Sequence, residues 1–238
     1  MAFKGCIVNP RSFCYCLVSG LITIVYIVAS RPVPAHELNI SSPSRYRGYQ
    51  YMKPNATIAT RTIVETPFAR AQMHTVRLED GKVVDDWLWF DEGDAINCLA
   101  RTKAEPGNPE KYVVFEQSKY GFEGVSLAPI GGYIESGESA LFAAKRELLE
   151  ETGLTSDHWV ELGAYRVAAN RGAGVIHTFL AVDAVPHKTA GKLMHADLEA
   201  QKAVLLSEQE LLEAVLANKF KEVKWTANVA LALLASKN

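Results

Sequence analysis

Three glutamates, Glu147, Glu150 and Glu151, are the residues of this chain best placed to do chemistry. In a helix, their i, i+3 and i+4 spacing puts the three carboxylates on one face. Like charges at this spacing repel each other, and the last turns of a helix disfavour negative charge. A divalent cation offsets both costs, and Mg²⁺ in proteins also binds substrate phosphates. The spacing alone leaves open a solvated acidic helix face.

The segment around these glutamates has the pattern of a helix. Apolar residues repeat at three- and four-residue spacing over 139–151, with no glycine or proline inside. Ser136 or Ser139 can cap the start of the helix. Gly153 stands where a glycine in the left-handed conformation would end it. The three carboxylates are therefore predicted to share one helix face.

The same stretch carries a longer pattern of fixed residues. Residues 132–154 read G-x5-E-x7-R-E-U-x-E-E-x-G-U, where U is aliphatic. The fixed positions are filled by Gly132, Glu138, Arg146, Glu147, Leu148, Glu150, Glu151, Gly153 and Leu154. This is the Nudix box, and so many matches in one short stretch rarely arise by chance. The sequence therefore resembles a Nudix hydrolase.

The resemblance implies a fold, a chemistry and a set of metal ligands. The fold is of the α/β class, an α/β/α sandwich with a mixed central sheet. The chemistry is Mg²⁺- or Mn²⁺-dependent cleavage of a nucleoside diphosphate linked to another group. In the family pattern Glu147 and Glu151 bind metal, Glu150 assists as a further ligand and the backbone carbonyl of Gly131 also faces the metal.

The resemblance also implies catalytic roles. Arg146 pairs with Glu138 to hold the loop and the helix together, and Glu150 and Glu151 act in the reaction. In the ADP-sugar branch of the family, a later loop closes over the site and carries a glutamate that is the base or binds a further metal. Glu199 is our first choice for this residue, and Asp197 is the alternative and an expected substrate contact.

Two basic residues are candidate substrate contacts. The segment E-Q-S-K-Y is similar to an E-Q-x-R-Y segment of the ADP-sugar branch, whose basic residue contacts the diphosphate, and Lys119 falls on that position. Lysine is a point charge and cannot grip phosphate with two parallel hydrogen bonds as arginine does. Arg171, in a predicted loop, is a second candidate for contact with a phosphate or a ribose. The alternative is that this arginine only faces solvent.

The strands predicted over 61–93 precede the box. They resemble the N-terminal strands of the ADP-sugar pyrophosphatase branch, where a small extra antiparallel sheet supports a homodimer. The sequence Glu79-Asp80-Gly81-Lys82 is a hairpin turn signal. Trp87 and Trp89 share one strand face, which favours packing in the core or in a dimer over stacking on a nucleobase.

The N-terminal 30 residues predict a signal or anchor segment. Residues 12–30 are uncharged and mostly apolar, with Lys4 and Arg11 before them and Arg31 after them. As a helix this stretch would span about 28 Å, enough to cross a bilayer core. A cleaved signal peptide, an uncleaved anchor, a bipartite organelle leader and a buried core helix remain alternatives. Except for the core helix, each would engage a membrane or the translocon.

Composition and domain organisation limit the remaining possibilities. The chain has 238 residues and a formal net charge of −2, so it lacks the basic field of a non-specific nucleic-acid binder. Residues 31–60 are predicted to be a linker and 61–238 the hydrolase domain. Cys98 is the domain's single cysteine, which excludes a disulfide within it.

The substrate expected from these features is ADP-ribose or another ADP-sugar, split into AMP and a sugar phosphate. The strands over 61–93 and the segment around Lys119 favour it. The alternatives within the family are NADH or another dinucleotide, coenzyme A and a nucleoside triphosphate. Outside catalysis, the alternatives are a sensor that binds a nucleotide diphosphate and a membrane-tethered scaffold.

Overall fold

The computed structural model describes residues 57–188 and 201–236, and the backbone of two short strands near the N-terminus. The chain divides into two compact units, Met1–Pro43 and Ser44–Asn238. In the first unit, β1 (Cys16–Val18) and β2 (Leu21–Thr23) pair antiparallel. Residues 16–18 and 21–23 of the apolar segment are thus paired strands and not helix. The assignment of residues 1–30 as a signal or anchor segment stays a prediction. In the described residues, no helix is long and apolar enough to cross a membrane.

The second unit is built on one eleven-stranded mixed sheet. Its main path runs β13-β7-β6-β12-β5-β4-β3; β8 pairs with β7, β9 with β6, and β10 and β11 with β12. The strands are β3 (Thr57–Glu65), β4 (Ala69–Arg77), β5 (Val83–Glu92), β6 (Ala95–Thr102), β7 (Tyr112–Gln117), β8 (Ser126–Ala128), β9 (Ile130–Tyr133), β10 (Leu154–Thr155), β11 (His158–Ala168), β12 (Gly172–Pro186) and β13 (Gln201–Leu206).

Three helices accompany the sheet in the described residues: α1 (Ala140–Thr152), α2 (Glu208–Leu216) and α3 (Val223–Ala235). Of the two candidate caps for α1, Ser139 is the one used, and its side chain accepts a hydrogen bond from the N–H of Phe142 at 3.2 Å. Gly153 ends α1 with φ of 68°, in the left-handed region, and its N–H donates to the carbonyl of Leu149. The predicted start and end signals of this helix are confirmed.

The helices cover both faces of the sheet, as the alternation of β6 shows. Ile96 and Cys98 pack on one face in a cluster that includes Leu148 of α1. Leu99 points to the other face and packs with α2 and α3, for example with Val229. Successive strand residues point to opposite faces, so a buried strand of this kind needs a layer on each side. The predicted α/β/α sandwich is confirmed.

The N-terminal strands form an antiparallel meander, β3-β4-β5, with a turn at Gly81 whose φ is 85°. The meander was expected to be a separate small sheet. It instead continues the central sheet, because Phe90 of β5 pairs in parallel with Gly172 of β12. Strand β3, the first of the second unit, starts at Thr57, which is earlier than the predicted domain boundary at 61.

Strands β6 and β7 diverge, and this divergence positions the site. They pair directly only at Ala100–Val113 and Arg101–Tyr112. Toward the start of β6 they separate; there β9 pairs with β6, and β8 pairs with β7. Pro129, between β8 and β9, has no N–H to donate to a ladder. The sheet opens at this end of β6.

Candidate active site

A cleft of about 170 Å³ lies where β6 and β7 separate. It is lined by the start of β6, the end of β7, β9, the last turn of α1 and the first turn of α3. Its described lining residues are Ala95, Ile96, Asn97, Gln117, Lys119, Pro129, Gly131, Gly132, Tyr133, Glu151, Ile176, Gln201, Lys224 and Trp225. The cleft therefore joins the box, the E-Q-S-K-Y segment and the C-terminal helix.

Glu147 reaches the cleft wall across the backbone of Gly132. A Cβ atom built on Gly132 would lie 1.9 Å from Oε1 of Glu147 and 2.2 Å from its Cδ. A real Cβ atom cannot approach so closely, so only glycine leaves room for the carboxylate. The side chain of Glu147 is only 13% exposed, and the fixed glycine of the box thus keeps this carboxylate against β9.

Arg146 connects the box loop to the acidic face of α1. Its Nε and Nη2 donate to the two carboxylate oxygens of Glu138 at 2.8 and 3.0 Å, and Nη2 also donates to the carbonyl of Tyr133. Its Nη1 donates to Oε1 of Glu147 at 2.7 Å and to Oε2 of Glu150 at 3.1 Å. The expected pair between Arg146 and Glu138 is present and two-pronged, which fixes the arginine in orientation.

This network moves the pKa values of the acids in opposite directions. The hydrogen bond from Arg146 lowers the pKa of Glu138 below its ordinary value. Burial raises the pKa of Glu147, although Arg146 acts against this, because desolvation disfavours the charged carboxylate. The pKa of Arg146 is raised in return, chiefly by its hydrogen bond to Glu138. The cost of burying Glu147 is what a nearby cation would offset.

Glu151 lies on the α1 side of the cleft, close to Cys98 of β6. Burial raises the pKa of the Cys98 thiol to about 12, and the negative charge of Glu151 contributes to the rise. Glu151 also lines the cleft together with Gly131 and Gly132. The structure therefore brings two of the predicted metal residues, Glu151 and Gly131, to one cleft. The third, Glu147, contacts the backbone of Gly132, which lines the same cleft.

The donor set of the box fits a hard divalent cation. It consists of carboxylate oxygens, the ligands that Mg²⁺ and Mn²⁺ prefer. In residues 57–188 and 201–236, no group of three or more His, Cys, Asp or Glu side chains is arranged to hold a metal ion. Arg146 instead hydrogen-bonds to Glu147 and Glu150. The guanidinium takes one oxygen of each carboxylate, Oε1 of Glu147 and Oε2 of Glu150, so the second oxygen of each could serve a metal while Arg146 stays in place.

The two candidate basic residues differ in position. Lys119 is half-buried and lines the cleft, where its ammonium group can meet a phosphate held near Glu151. Arg171 is exposed in the turn between β11 and β12, and its carbonyl accepts a hydrogen bond from the N–H of Phe90. It is not among the described lining residues of the cleft, so the structure does not bring it to the acids.

The two candidates for a later catalytic acid, Asp197 and Glu199, lie outside the described residues. Their roles stay predictions. The strand that follows them, β13, starts at Gln201, which lines the cleft.

Trp89 is a packing residue. It is 7% exposed and stacks on His74 with ring centroids 5.5 Å apart, and the guanidinium of Arg166 lies 5.7 Å from its ring centroid. Trp87 donates its Nε1 hydrogen to the carbonyl of Asn170 at 2.7 Å. The favoured interpretation of these tryptophans as packing residues is confirmed for Trp89, whose faces are covered.

Sequence reasoning missed four residues of the cleft with amide or ammonium side chains: Asn97, Gln117, Gln201 and Lys224. The signal available for Asn97 was a polar residue within the apolar strand AINCLA. Nothing local distinguishes Lys224 from any other exposed helix lysine, because its place in the cleft depends on how α3 packs. Gln117 ends a predicted strand, where side chains commonly face solvent.

A larger pocket of about 550 Å³ adjoins the box loop and was also missed. Phe68, between β3 and β4, and Tyr133, at the end of β9, contribute rings that are 64% and 51% exposed. The pocket also includes Pro67, Gly93, Ile134, Glu135 and Ser136. Tyr133 lines both the pocket and the cleft, so the two openings are neighbours.

Together, the sandwich and the carboxylate-bearing helix over a strand cleft define a hydrolase-type α/β domain built around the Nudix box. Comparison with known proteins agrees: the NUDIX domain family model matches residues 94–228, more than half of the chain. The chain belongs to the Nudix family.

No significant relative is found among curated proteins. Among solved structures, a crystal structure of an ADP compounds hydrolase is similar, with a TM-score of 0.61 and 16% identity, over 76% of this chain and 93% of that one. At this identity the similarity supports the fold alone.

Proposed function

We propose that this chain is a metal-dependent hydrolase of ADP-ribose or another ADP-sugar, with AMP and a sugar phosphate as products. The observation that carries the proposal is the complete box: Arg146 fixes it, and Glu147 and Glu151 lie at one cleft. Lys119 lines the same cleft and offers a cation for the diphosphate. A hydrolase needs carboxylates that hold metal and a cation that holds phosphate within reach of each other.

The mechanism assigns a separate task to each group. Mg²⁺ or Mn²⁺, held by Glu147, Glu150, Glu151 and the carbonyl of Gly131, would offset charge on the phosphate oxygens and lower the pKa of the attacking water. Arg146 holds the glutamates of α1 and the box loop in fixed positions relative to each other. Lys119 pairs with a phosphate oxygen and orients the diphosphate. A carboxylate accepts the proton of the water, and Glu199 is the residue that we assign to this step.

The pocket beside the box loop supports a nucleoside as one half of the substrate. Exposed aromatic rings lose little conformational freedom when they bind, and they stack on bases of any sequence. Phe68 and Tyr133 offer such rings next to the cleft that would hold the diphosphate. A ligand with a base in the pocket and two phosphates in the cleft would use both openings at once.

Substrate turnover tests the proposal directly. The full-length chain is incubated with ADP-ribose, ADP-glucose, NADH, coenzyme A and a nucleoside triphosphate mixture, each with Mg²⁺ or Mn²⁺, and products are identified by mass. AMP and a sugar phosphate from the first two alone support it. Turnover of another substrate alone retains the hydrolase and overturns the substrate. Tight ADP-ribose binding in Mg²⁺ without products would indicate a non-catalytic sensor.

We also propose a homodimer formed through β3. Among the described strands, β3 is the edge of the sheet and pairs with β4 alone. Ile58, Ile63 and Val64 on this strand are 46%, 48% and 54% exposed. An edge strand with exposed apolar side chains and unpaired backbone groups can pair with another chain, unless something covers it. A second copy would cover it symmetrically.

Residues 1–30 are proposed to direct the chain to a membrane or the translocon. The support is the apolar segment 12–30 with its basic flanks. Cell fractionation of the full-length chain, beside a form that lacks residues 1–30, tests this. The same distribution for both forms would overturn the proposal.

A further inference from the structure

The cleft has a second polar wall that the mechanism above does not use. Glu151 enters from the α1 side of the sheet, whereas Asn97 and Lys224 belong to the side covered by α3. The α1 wall carries negative charge. The polar groups of Asn97 and Lys224 on the α3 wall include hydrogen-bond donors and a cation. Oxygen atoms of a ligand would find donors on the α3 wall, whereas the α1 wall would repel them unless a cation lies between.

Asn97 is the most informative residue of this wall. It is 4% exposed, yet its amide nitrogen has no hydrogen-bond partner among the described residues. Its backbone carbonyl accepts a hydrogen bond from Nδ2 of Asn228 in α3 at 3.3 Å, and this bond holds β6 in place at Asn97. A buried donor without an acceptor is costly and uncommon in native proteins. An acceptor oxygen of a ligand in the cleft would satisfy it.

Glycine opposite Asn97 keeps space around this side chain. Asn97 pairs with Gly131 across β6 and β9. A Cβ on Gly131 would lie 3.0 Å from Oδ1 of Asn97, tighter than ordinary contact. The small residue thus avoids crowding Oδ1 of Asn97, and both residues line the cleft.

Lys224 supplies a cation to the same wall. It lies in the first turn of α3, and its side chain is 29% exposed. Nζ pairs with Oε1 of Glu222 at 2.8 Å, which leaves two of the three ammonium protons for other acceptors. No side chain caps the N-terminus of α3 in the structure, so first-turn N–H groups add to the positive potential there.

The ring on this wall is not free for stacking. Trp225 is 9% exposed and packs edge-on against Phe122, with centroids 5.8 Å apart. The α3 wall therefore favours an oxygen-rich anion over a nucleobase. A hydroxyl group could accept from Asn97, but it would not match the charge of Lys224 or of Lys119 nearby. A phosphate group matches all of them.

We infer that Asn97 and Lys224 form a subsite for the second phosphate of the diphosphate, the one that the box acids and their metal do not hold. This inference rests on the proposed function and adds to it a residue-level basis for selecting diphosphates over phosphate monoesters. Asn97 donates its amide hydrogen to a phosphate oxygen. Lys224 pairs with the phosphate charge from the N-terminus of α3.

The direct test observes the Asn97 amide group. The full-length chain is labelled with ¹⁵N and titrated with inorganic pyrophosphate in EDTA, and the Asn97 side-chain signal is assigned by its loss in Asn97→Asp. The expected result is a saturable shift of that signal. Lys224→Ala should weaken pyrophosphate binding by about tenfold, since a charge-assisted contact is lost. An Asn97 signal that stays in place while pyrophosphate binds elsewhere overturns the subsite.

Lys202→Ala is the matched control for the lysine. Lys202 also forms an exposed ion pair, with Glu116 at 3.4 Å, but it is not among the described residues that line the cleft. Its replacement should leave pyrophosphate affinity unchanged. An equal loss of affinity in both variants would mean that general positive charge acts, and it would overturn the assignment of Lys224.

Kinetics separate this inference from the proposed function. With ADP-ribose and Mg²⁺, Lys224→Ala and Asn97→Asp should raise KM about tenfold or more and change kcat less. A wild-type KM in both variants overturns the subsite while the hydrolase stands. Absence of hydrolysis by the wild type overturns the proposed function, and the pyrophosphate titration still decides whether the phosphate subsite exists.

Discussion

The backbone of Gly132 lies directly against the carboxylate of Glu147: a Cβ on the glycine would stand 1.9 Å from Oε1. This contact explains why a glycine begins the box more than a dozen residues before the glutamate. The φ angle of Gly132 is not in the left-handed region, so backbone freedom is not the reason. The need is space for a carboxylate that Arg146 also holds.

Gly132→Ala should therefore disable the site. The methyl group would push Glu147 away from β9 and break its hydrogen bond to Arg146, and we expect turnover to fall about 100-fold or more. Steady-state hydrolysis of ADP-ribose over a range of Mg²⁺ concentrations measures this. Gly121→Ala is the control, since a Cβ there meets nothing within 4 Å. Wild-type activity in Gly132→Ala would disprove the steric argument.

Glu151→Gln should abolish most activity without unfolding the chain. The substitution keeps the shape of the side chain but removes the negative charge that a metal ligand needs, so we expect kcat to fall roughly 10²-fold or more. Product formation and a thermal unfolding curve are measured together. Glu161→Gln, an exposed acid of β11, is the control and should keep full activity. An unchanged rate in Glu151→Gln contradicts its assignment as a ligand.

The pair between Glu138 and Arg146 should make stability depend on pH. The hydrogen bond from Arg146 lowers the pKa of Glu138 in the folded state. The ionised carboxylate therefore stabilises the fold at pH values above the unfolded pKa, near 4.3, and this contribution is lost as the pH falls through the folded pKa. We expect Glu138→Gln to lower the free energy of unfolding by about 1–3 kcal/mol at pH 7.

Urea unfolding of the wild type and Glu138→Gln at pH 7, 5 and 3.5, in EDTA, measures this contribution. The difference between the two proteins should shrink toward the lowest pH. Glu135→Gln, an exposed acid in the same loop, should show little difference at any of these pH values. A difference for Glu138→Gln that is constant with pH would indicate a packing effect instead of an ionic one.

Local signals in the sequence were sufficient for the helix that carries the acids. The Ser139 cap, the apolar repeat and Gly153 act within a few residues, so the boundaries of α1 were predictable. Such features depend on neighbouring residues in the chain and need no knowledge of the whole fold.

The features that the sequence did not predict depend on contacts between distant parts of the chain. Lys224 joins the cleft because α3 packs on β6, more than a hundred residues earlier in the chain, through bonds such as that of Asn228 to Asn97. The continuation of the N-terminal meander into the central sheet rests on one parallel pairing, Phe90 with Gly172. Neither contact has a local pattern.

The proposed dimer gives the last prediction. If two copies pair through β3, a lysine in place of the exposed apolar Ile63 should separate them, because an unpaired lysine would have to lose its water in the interface. Light scattering after gel filtration should give a dimer mass for the wild type and a monomer mass for Ile63→Lys. Val83→Lys is the control, since Val83 is similarly exposed, at 44%, but lies on β5 away from the edge. A monomeric wild type rules out the dimer. A dimer that survives Ile63→Lys would show that its interface is not formed by β3.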